Sequence, residues 1–356
     1  VWSESMSSIA ERIYFQSPVW LQNILVSAYG YRLYRKRYGG AFKQILNEVR
    51  SIDEMNTDQI EALQAERLNR MIAYCEQNIP YYQKLLSERS LTSQDFTQTS
   101  DIKKLPVLEK STVKDHPELF QPRRGSKPWM VQQTSGSTGS PLILNVDEYT
   151  YKLAMALLVR HEENAGVPFG SRKATFAGRL IQPVNNVIPP FSRFNKAENQ
   201  RLFSSYHLNE HTFPHYKREL DHFQPLEIIG YPSAISDLAS YYEQTGYTPS
   251  FTPRAIITNS ETLLDWQREK IERVFNCRIF DYYGTAEYVT FAGQDNTGMY
   301  RVNPLIGLTE FLENERREPG TKNIVTTTLC NTAMPLIRYS IGDMAQTRLE
   351  HGFCPP

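Results

Sequence analysis

Between Lys173 and Tyr283, strand-like runs alternate with helical ones, and this alternation constrains the fold more than any other feature of the chain. Lys173-Ala174-Thr175-Phe176, Leu226-Glu227-Ile228-Ile229-Gly230, Ala255-Ile256-Ile257-Thr258 and Cys277-Arg278-Ile279-Phe280-Asp281-Tyr282-Tyr283 are short and largely apolar. Helical segments at 214–223, 232–245 and 262–275 intervene. Strands joined through helices predict a parallel α/β sheet. Such a sheet presents ligands at the carboxyl ends of its strands, so the residues just beyond each run are the first candidates for chemistry.

The flanking regions differ. Residues 1–125 read as mainly helical, with Ile60, Leu63, Leu68, Met71, Ile72 and Tyr74 at helical spacing and Pro80 interrupting the pattern. Residues 126–298 carry the α/β alternation and include a helix at 148–165, while 299–349 hold short strands and turns. Asn323-Ile324-Val325-Thr326-Thr327-Thr328-Leu329 is the clearest strand of this last part.

Gln133-Thr134-Ser135-Gly136-Ser137-Thr138-Gly139-Ser140-Pro141 cannot contribute to a core. Its glycines let the backbone turn tightly, and its amides and hydroxyls can converge on one anion. A Ser/Thr/Gly run can equally be a flexible linker. Here it is clamped between the apolar runs Met130-Val131 and Leu142-Ile143-Leu144, which reads as strand, tight loop, strand. It is not a Walker A loop, because no Gly-Lys-Ser/Thr follows at the required spacing.

Three strand ends carry chemical groups. Tyr231-Pro232-Ser233 follows the 226–230 run, Asn259-Ser260-Glu261-Thr262 the 255–258 run, and Gly284-Thr285-Ala286-Glu287 the run ending at Tyr283. Glu287 offers a carboxylate of the kind that holds Mg²⁺. Farther on, Arg338-Tyr339-Ser340-Ile341-Gly342-Asp343 places an acid after a Gly turn, either as a turn former or as an acceptor for ribose hydroxyls.

The chain has 39 basic and 39 acidic residues, so no global field points to nucleic acid. The basic-aromatic run Tyr31-Arg32-Leu33-Tyr34-Arg35-Lys36-Arg37-Tyr38 reads as a solvated helix face or as a peripheral membrane or partner contact. No apolar run is long enough to span a bilayer, and the first residues lack the order of a signal peptide. Cys75, Cys277, Cys330 and Cys354 form no C-x-x-C pair and read as thiols of a cytoplasmic protein. His207, His211, His215 and His222 cluster, but Pro214 is expected to break any helix that would align them for a metal.

Taken in order, Thr134–Pro141, Tyr283-Gly284-Thr285-Ala286-Glu287 and Tyr339–Asp343 resemble the Gly-rich, aromatic–Gly–x–x–Glu and Gly–Asp motifs of the adenylate-forming superfamily of acyl–coenzyme A synthetases, adenylation domains and luciferases. The chain is most similar to the phenylacetate–coenzyme A ligase family, in the branch associated with capsular polysaccharide biosynthesis. Ile79-Pro80-Tyr81-Tyr82, Ser204-Ser205-Tyr206-His207-Leu208, Gly230-Tyr231-Pro232-Ser233 and Ala333–Tyr339 support that resemblance.

The resemblance implies a large N-terminal domain, residues 1–349, of parallel and mixed sheets sandwiched by helices, with a small β-rich subdomain. Residues 350–356 would begin the hinge to a mobile C-terminal domain that is absent from this chain. It implies ATP and Mg²⁺ as cofactors, a small carboxylic acid as substrate, and coenzyme A as one acceptor, with no nucleic acid. Activation would form an acyl-adenylate, with a polysaccharide-assembly complex as a partner. Thr134, Ser135, Gly136, Ser137, Thr138 and Gly139 would hold the β- and γ-phosphates. Glu287 would hold Mg²⁺, and Asp343, beside Arg338, the ribose. Tyr282, Tyr283 and Gly284 would border adenine, with Ser260 and Glu261 lining the nucleotide pocket. Tyr206, Tyr231, Pro232 and Ser233 would line the acyl pocket, with His207 at its edge as a candidate catalytic residue alongside Glu287 and Thr285.

Three departures stand against the family pattern. Ser140 replaces a frequent Lys of the phosphate loop. Ala286 replaces a hydroxyl residue that touches the α-phosphate, so Thr285 is expected to take over that contact. The chain stops at Pro356, before the domain that carries the catalytic Lys, which predicts slow adenylation or none and keeps open a nucleotide-binding scaffold in place of an enzyme.

Overall fold

The computed structural model describes residues 8–123, 127–133, 142–313, 320–348 and 352–354. The chain forms two compact units, each drawn from two separate stretches: residues 1–40 with 161–282, and residues 41–160 with 283–356.

The first unit contains the sheet expected from the alternating runs. Its strands are β3 (Lys173–Phe176), β4 (Ser192–Asn195), β5 (Gln200–Phe203), β6 (Glu227–Gly230), β7 (Ala255–Asn259) and β8 (Ile279–Gly284, whose last residues belong to the second unit). They lie in the order β8-β7-β6-β3-β5-β4. All neighbours are parallel except β4 and β5. The connecting helices are α8 (Phe213–Phe223), α9 (Pro232–Thr245) and α10 (Asp265–Phe275). Phe176, Phe203, Tyr216, Ile235, Leu238, Ile256 and Ile271 fill the core between these helices and the sheet. The β4–β5 pair has no signature among the apolar runs: Ser192-Arg193-Phe194-Asn195 has no apolar alternation, and one side of this edge strand is covered by a helix.

That helix is α2 (Val19–Tyr38), which follows α1 (Ser8–Gln16). Asn23 accepts a hydrogen bond from the Phe194 amide at 2.9 Å, and Ser27 donates to the Phe194 carbonyl at 3.2 Å. Side chains of α2 thus satisfy backbone groups that an edge strand would otherwise expose. The approach is close enough that a Cβ on Gly30 would sit 2.1 Å from the Asn195 side chain.

Pro214 lies in the first turn of α8, where a missing amide is tolerated, and the expected break falls just before it. His215 and His222 lie on α8, whereas His207 and His211 precede it. Among the described residues no group of three or more His, Cys, Asp or Glu is arranged to hold a metal.

The second unit is antiparallel. Its sheet runs β11 (Gly307–Glu313), β12 (Thr321–Thr328), β13 (Tyr339–Arg348), β14 (Gly352–Cys354), β10 (Tyr300–Val302), β9 (Phe291–Gln294). A separate hairpin pairs β1 (Met130–Gln133) with β2 (Ile143–Val146), in register from Met130↔Val146 to Gln133↔Ile143. Helices α3 (Phe42–Ser51), α4 (Thr57–Asn78), α5 (Pro80–Glu88), α6 (Lys110–Asp115) and most of α7 (Glu148–Asn164) complete the unit. Asn56 and Gln59 start α4 with a reciprocal capping box. Leu68, Met71, Ile72 and Cys75 of α4 and Tyr82 of α5 pack in one core with Leu336, Ile337 and Tyr339. Tyr82 secures the entry to β13: its hydroxyl accepts from the Ile337 amide at 2.9 Å and donates to the Pro335 carbonyl at 3.1 Å.

Candidate nucleotide site

In the second unit the two late motifs meet. The pairing of β12 with β13 is regular on both sides of an irregularity, Val325↔Ser340 and Asn323↔Met344, so extra residues bulge out of β13. Gly342 sits in this bulge at φ 94°, a conformation that favours glycine. The bulge turns the Asp343 carboxylate out to solvent, where Tyr283 donates its hydroxyl to it at 2.7 Å. Burial, and then the neighbouring carboxylate, push the Tyr283 phenol well above its usual pKa, so it stays a donor.

A second tie joins the same segments. Glu287 is only 4% exposed, and its Oε1 accepts from Tyr339 Oη at 3.2 Å. Lys110, near the start of α6, reaches the same oxygen at 3.1 Å. Lys110 is carried there by Leu108, whose amide and carbonyl bond to the Arg338 carbonyl and the Ser340 amide at 2.8 and 2.9 Å. Sequence reasoning missed Lys110, since no spacing links it to a motif 177 residues away. Beside Glu287, Thr285 Oγ1 is buried with no hydrogen-bond partner. A buried unpaired hydroxyl is costly unless something occupies it, which fits a ligand contact by the residue expected to take over from Ala286.

Arg338 has a different position from the one expected. At φ 51°, it directs its guanidinium to both oxygens of Glu310, at 3.1 and 3.2 Å, and to the Leu105 carbonyl at 2.6 Å. Its donors are committed to holding β11, β13 and the 103–105 segment together. Thr134–Pro141, the expected phosphate loop, lies outside the described residues. Its flanks are in register as β1 and β2, and the strand ends Gln133 and Ile143 are paired.

The first unit carries the other candidates. Pro232 opens α9, and Tyr231 occupies its N-cap position. Ser233 donates its amide to Glu261 at 3.1 Å, so the ends of β6 and β7 are connected. Gly230 lies close against β3, where a Cβ would be 2.0 Å from the Phe176 carbonyl oxygen. Ser260 is held at φ 68° with its hydroxyl on Asn259 Oδ1 at 2.7 Å. Strain of this kind at a non-glycine residue is common at functional sites. Tyr206 is exposed and donates to the Gly178 carbonyl at 3.1 Å. A Cβ on Gly178 would also touch the Tyr231 ring, so Tyr206 and Tyr231 border the same small residue. Tyr282 lies edge-on to His161, whose pKa burial lowers to about 4.

His207 is a correction to its expected catalytic role. It is buried, with Nε2 on the Pro183 carbonyl at 3.1 Å and Nδ1 beside Ser204 Oγ at 2.7 Å. The carbonyl requires Nε2 to carry the proton, so Nδ1 accepts from Ser204. Both ring nitrogens are engaged, and the residue ties two loops together.

The fit to Mg²⁺ rests on Glu287 alone. One half of its carboxylate is occupied by Tyr339 and Lys110. That suits an ion arriving with nucleotide phosphates and taking one protein carboxylate, and does not suit a cage built by the protein.

No family model matches the chain. It is 29% identical to Protein CapK of Staphylococcus aureus over 338 residues, which are 95% of this chain and 73% of that protein. It is 23% identical to the phenylacetate–coenzyme A ligase of Thermus thermophilus over 325 residues, 85% of this chain and 69% of that protein. Among solved structures, an open conformation of 2-hydroxyisobutyryl-CoA ligase with 2-HIB-AMP and CoA superposes with a TM-score of 0.65 at 16% identity, covering 85% of this chain and 74% of that one.

Proposed function

From a chain homologous to Protein CapK and to phenylacetate–coenzyme A ligases, with the fold of the adenylate-forming superfamily, we propose an AMP-forming acid ligase. It activates a small carboxylic acid with ATP and passes the acyl group to coenzyme A or another acceptor. The observation that carries this reading is the double tie of Tyr283 to Asp343 and Tyr339 to Glu287, which links the two late motifs in one unit.

In the first step a carboxylate oxygen of the substrate bonds to the α-phosphorus, the bond to the bridging oxygen breaks, and pyrophosphate leaves. Asp343 accepts the ribose hydroxyls, with Tyr283 fixing its orientation. Thr285 donates to an α-phosphate oxygen. Lys110 adds a cation next to Glu287. Mg²⁺, held in part by Glu287, would neutralise phosphate charge. Tyr206 and Tyr231 form an aromatic wall for the acyl group, with Pro232 and Ser233 at the mouth of α9. A role in surface polysaccharide assembly rests on the capsule-branch resemblance alone.

The test is hydroxamate trapping with the full-length gene product over aryl, fatty, hydroxy and amino acids. One class of acid should give ATP-dependent hydroxamate, and Asp343→Ala should abolish it. No product with any acid, with ATP binding intact, would favour a nucleotide-binding scaffold, the reading that Ala286 and Ser140 support.

A further inference from the structure

A surface in the first unit is left unused by the proposed chemistry. On α2, Trp20 and Ile24 are 64% and 55% exposed. At 100° per residue, Trp20, Ile24, Tyr31 and Arg35 fall within about 60° of one another, on a face that also includes exposed Ala28 and Arg32. The opposite side of the helix carries the buried Gln22, Val26 and Gly30.

A loop beside this helix shows the same character. Between β3 and β4, Val187 and Ile188 are 68% and 71% exposed, and Val184 is exposed as well. The loop is anchored to α1 and α2. Tyr14 donates to the Ile181 carbonyl at 3.0 Å. Arg193 bonds to Gln22 of α2, to the Pro190 carbonyl at 2.8 Å and to Gln182 at 3.3 Å. Tyr14, Val26, Ile181 and Leu202 form a small core beneath. The loop thus meets α2 on the side of the helix that carries Gln22 and Val26, and leaves Trp20 and Ile24 uncovered.

Charge identifies the occupant. The chain as a whole is balanced, with 39 basic and 39 acidic residues. Yet residues 12–38 and 164–197, which carry both segments, contain no Asp or Glu. Arg12, Arg32 and Arg35 are exposed. Just outside these stretches, Glu11 is exposed on α1, and Glu198 is taken by Arg37 at 2.8 Å. A second copy docked on this face by two-fold symmetry would set these cations against each other. An anionic lipid surface would accept both the cations and the apolar tips, with Trp20 and Tyr31 at headgroup depth. We infer that the exposed face of α2 docks peripherally on anionic membranes. This goes beyond the ligase reading and does not depend on it.

Sedimentation with vesicles tests the inference without nucleotide. Phosphatidylcholine vesicles with about 30 mol% phosphatidylglycerol should pellet the protein, and pure phosphatidylcholine vesicles should not. Arg32→Gln/Arg35→Gln should weaken the partition about tenfold or more, as should about 0.5 M salt. Trp20→Ser/Ile24→Ser should do the same, with an unchanged melting temperature showing an intact fold. The proposal is overturned if the wild-type protein stays in the supernatant, or if both double variants bind as wild type. It is also overturned if light scattering finds a dimer that Trp20→Ser/Ile24→Ser dissociates.

Discussion

Tyr283 donates its phenol hydrogen to the Asp343 carboxylate across 2.7 Å, closing a link between residues 60 positions apart. The tyrosine ends a strand and the aspartate sits on a bulge, so each fixes the other's direction. Tyr283→Phe removes the link but keeps the ring. The acceptor is solvent-exposed, so the stability loss should be about 1 kcal/mol or less. ATP affinity should fall about two- to fivefold, because Asp343 loses its orientation without losing its charge. Thermal melts and ATP titration check the two halves separately.

Thr285 separates a binding role from a structural one. Its hydroxyl is buried and unpaired, so Thr285→Val removes a polar group that contributes nothing to the fold. The melting temperature should hold or rise, since an unsatisfied buried hydroxyl costs about 1–3 kcal/mol. The rate of adenylate formation should fall about tenfold or more if the hydroxyl meets phosphate in the transition state. A loss of both stability and activity would show that Thr285 supports the structure instead.

Lys110 and Glu287 should behave as a coupled pair. Glu287 is buried, whereas Lys110 is half-exposed. Lys110→Met leaves a buried carboxylate with Tyr339 as its remaining neutral donor, and should destabilise by about 1–3 kcal/mol, below the range for a fully buried pair. Adding Glu287→Gln should recover part of that loss, giving non-additive stabilities. Activity should remain low in both variants. Additive stabilities would remove the case for coupling.

The first unit holds an acid that sets a pH dependence. Glu227 is fully buried, and desolvation followed by repulsion from Glu162 raises its pKa to about 8 despite the neighbouring Lys173. A raised carboxyl pKa means that the folded state binds the extra proton. Stability is therefore highest near the ordinary carboxylate range and is lost as pH rises toward about 8, then levels off. Lys173 is held protonated by Glu162 and Glu227 although burial opposes its charge, so it does not titrate in this window. Glu227→Gln should flatten the fall in stability between mildly acidic and mildly alkaline pH. Denaturant melts across that range check it, and an unchanged slope contradicts it.

Local pattern made much of this protein legible. Apolar runs of strand length found β3, β6, β7 and β8, and helical spacing found α4 and α7, because burial and periodicity act over a few neighbouring residues. Motif order pointed to Glu287 and Asp343. The reading failed where a residue's role depends on distant partners. Lys110 became visible only once Leu108 was seen paired beside β13. His207 is a catalytic candidate in the sequence, but Ser204 and the Pro183 carbonyl occupy its nitrogens. Arg338 belongs to a motif, yet Glu310 and Leu105 take its donors. The interleaving of the two units from four stretches has no local signature either.

Calorimetric titration of ATP into the wild-type protein and Asp343→Ala tests the nucleotide site most directly. Asp343 is exposed, so its loss should leave the melting temperature nearly unchanged while ATP affinity falls about tenfold or more, as for a charged hydrogen bond made only with ligand. Equal ATP affinity in the two proteins, or no ATP binding by the folded wild type, would contradict a nucleotide site built on Tyr283 and Asp343.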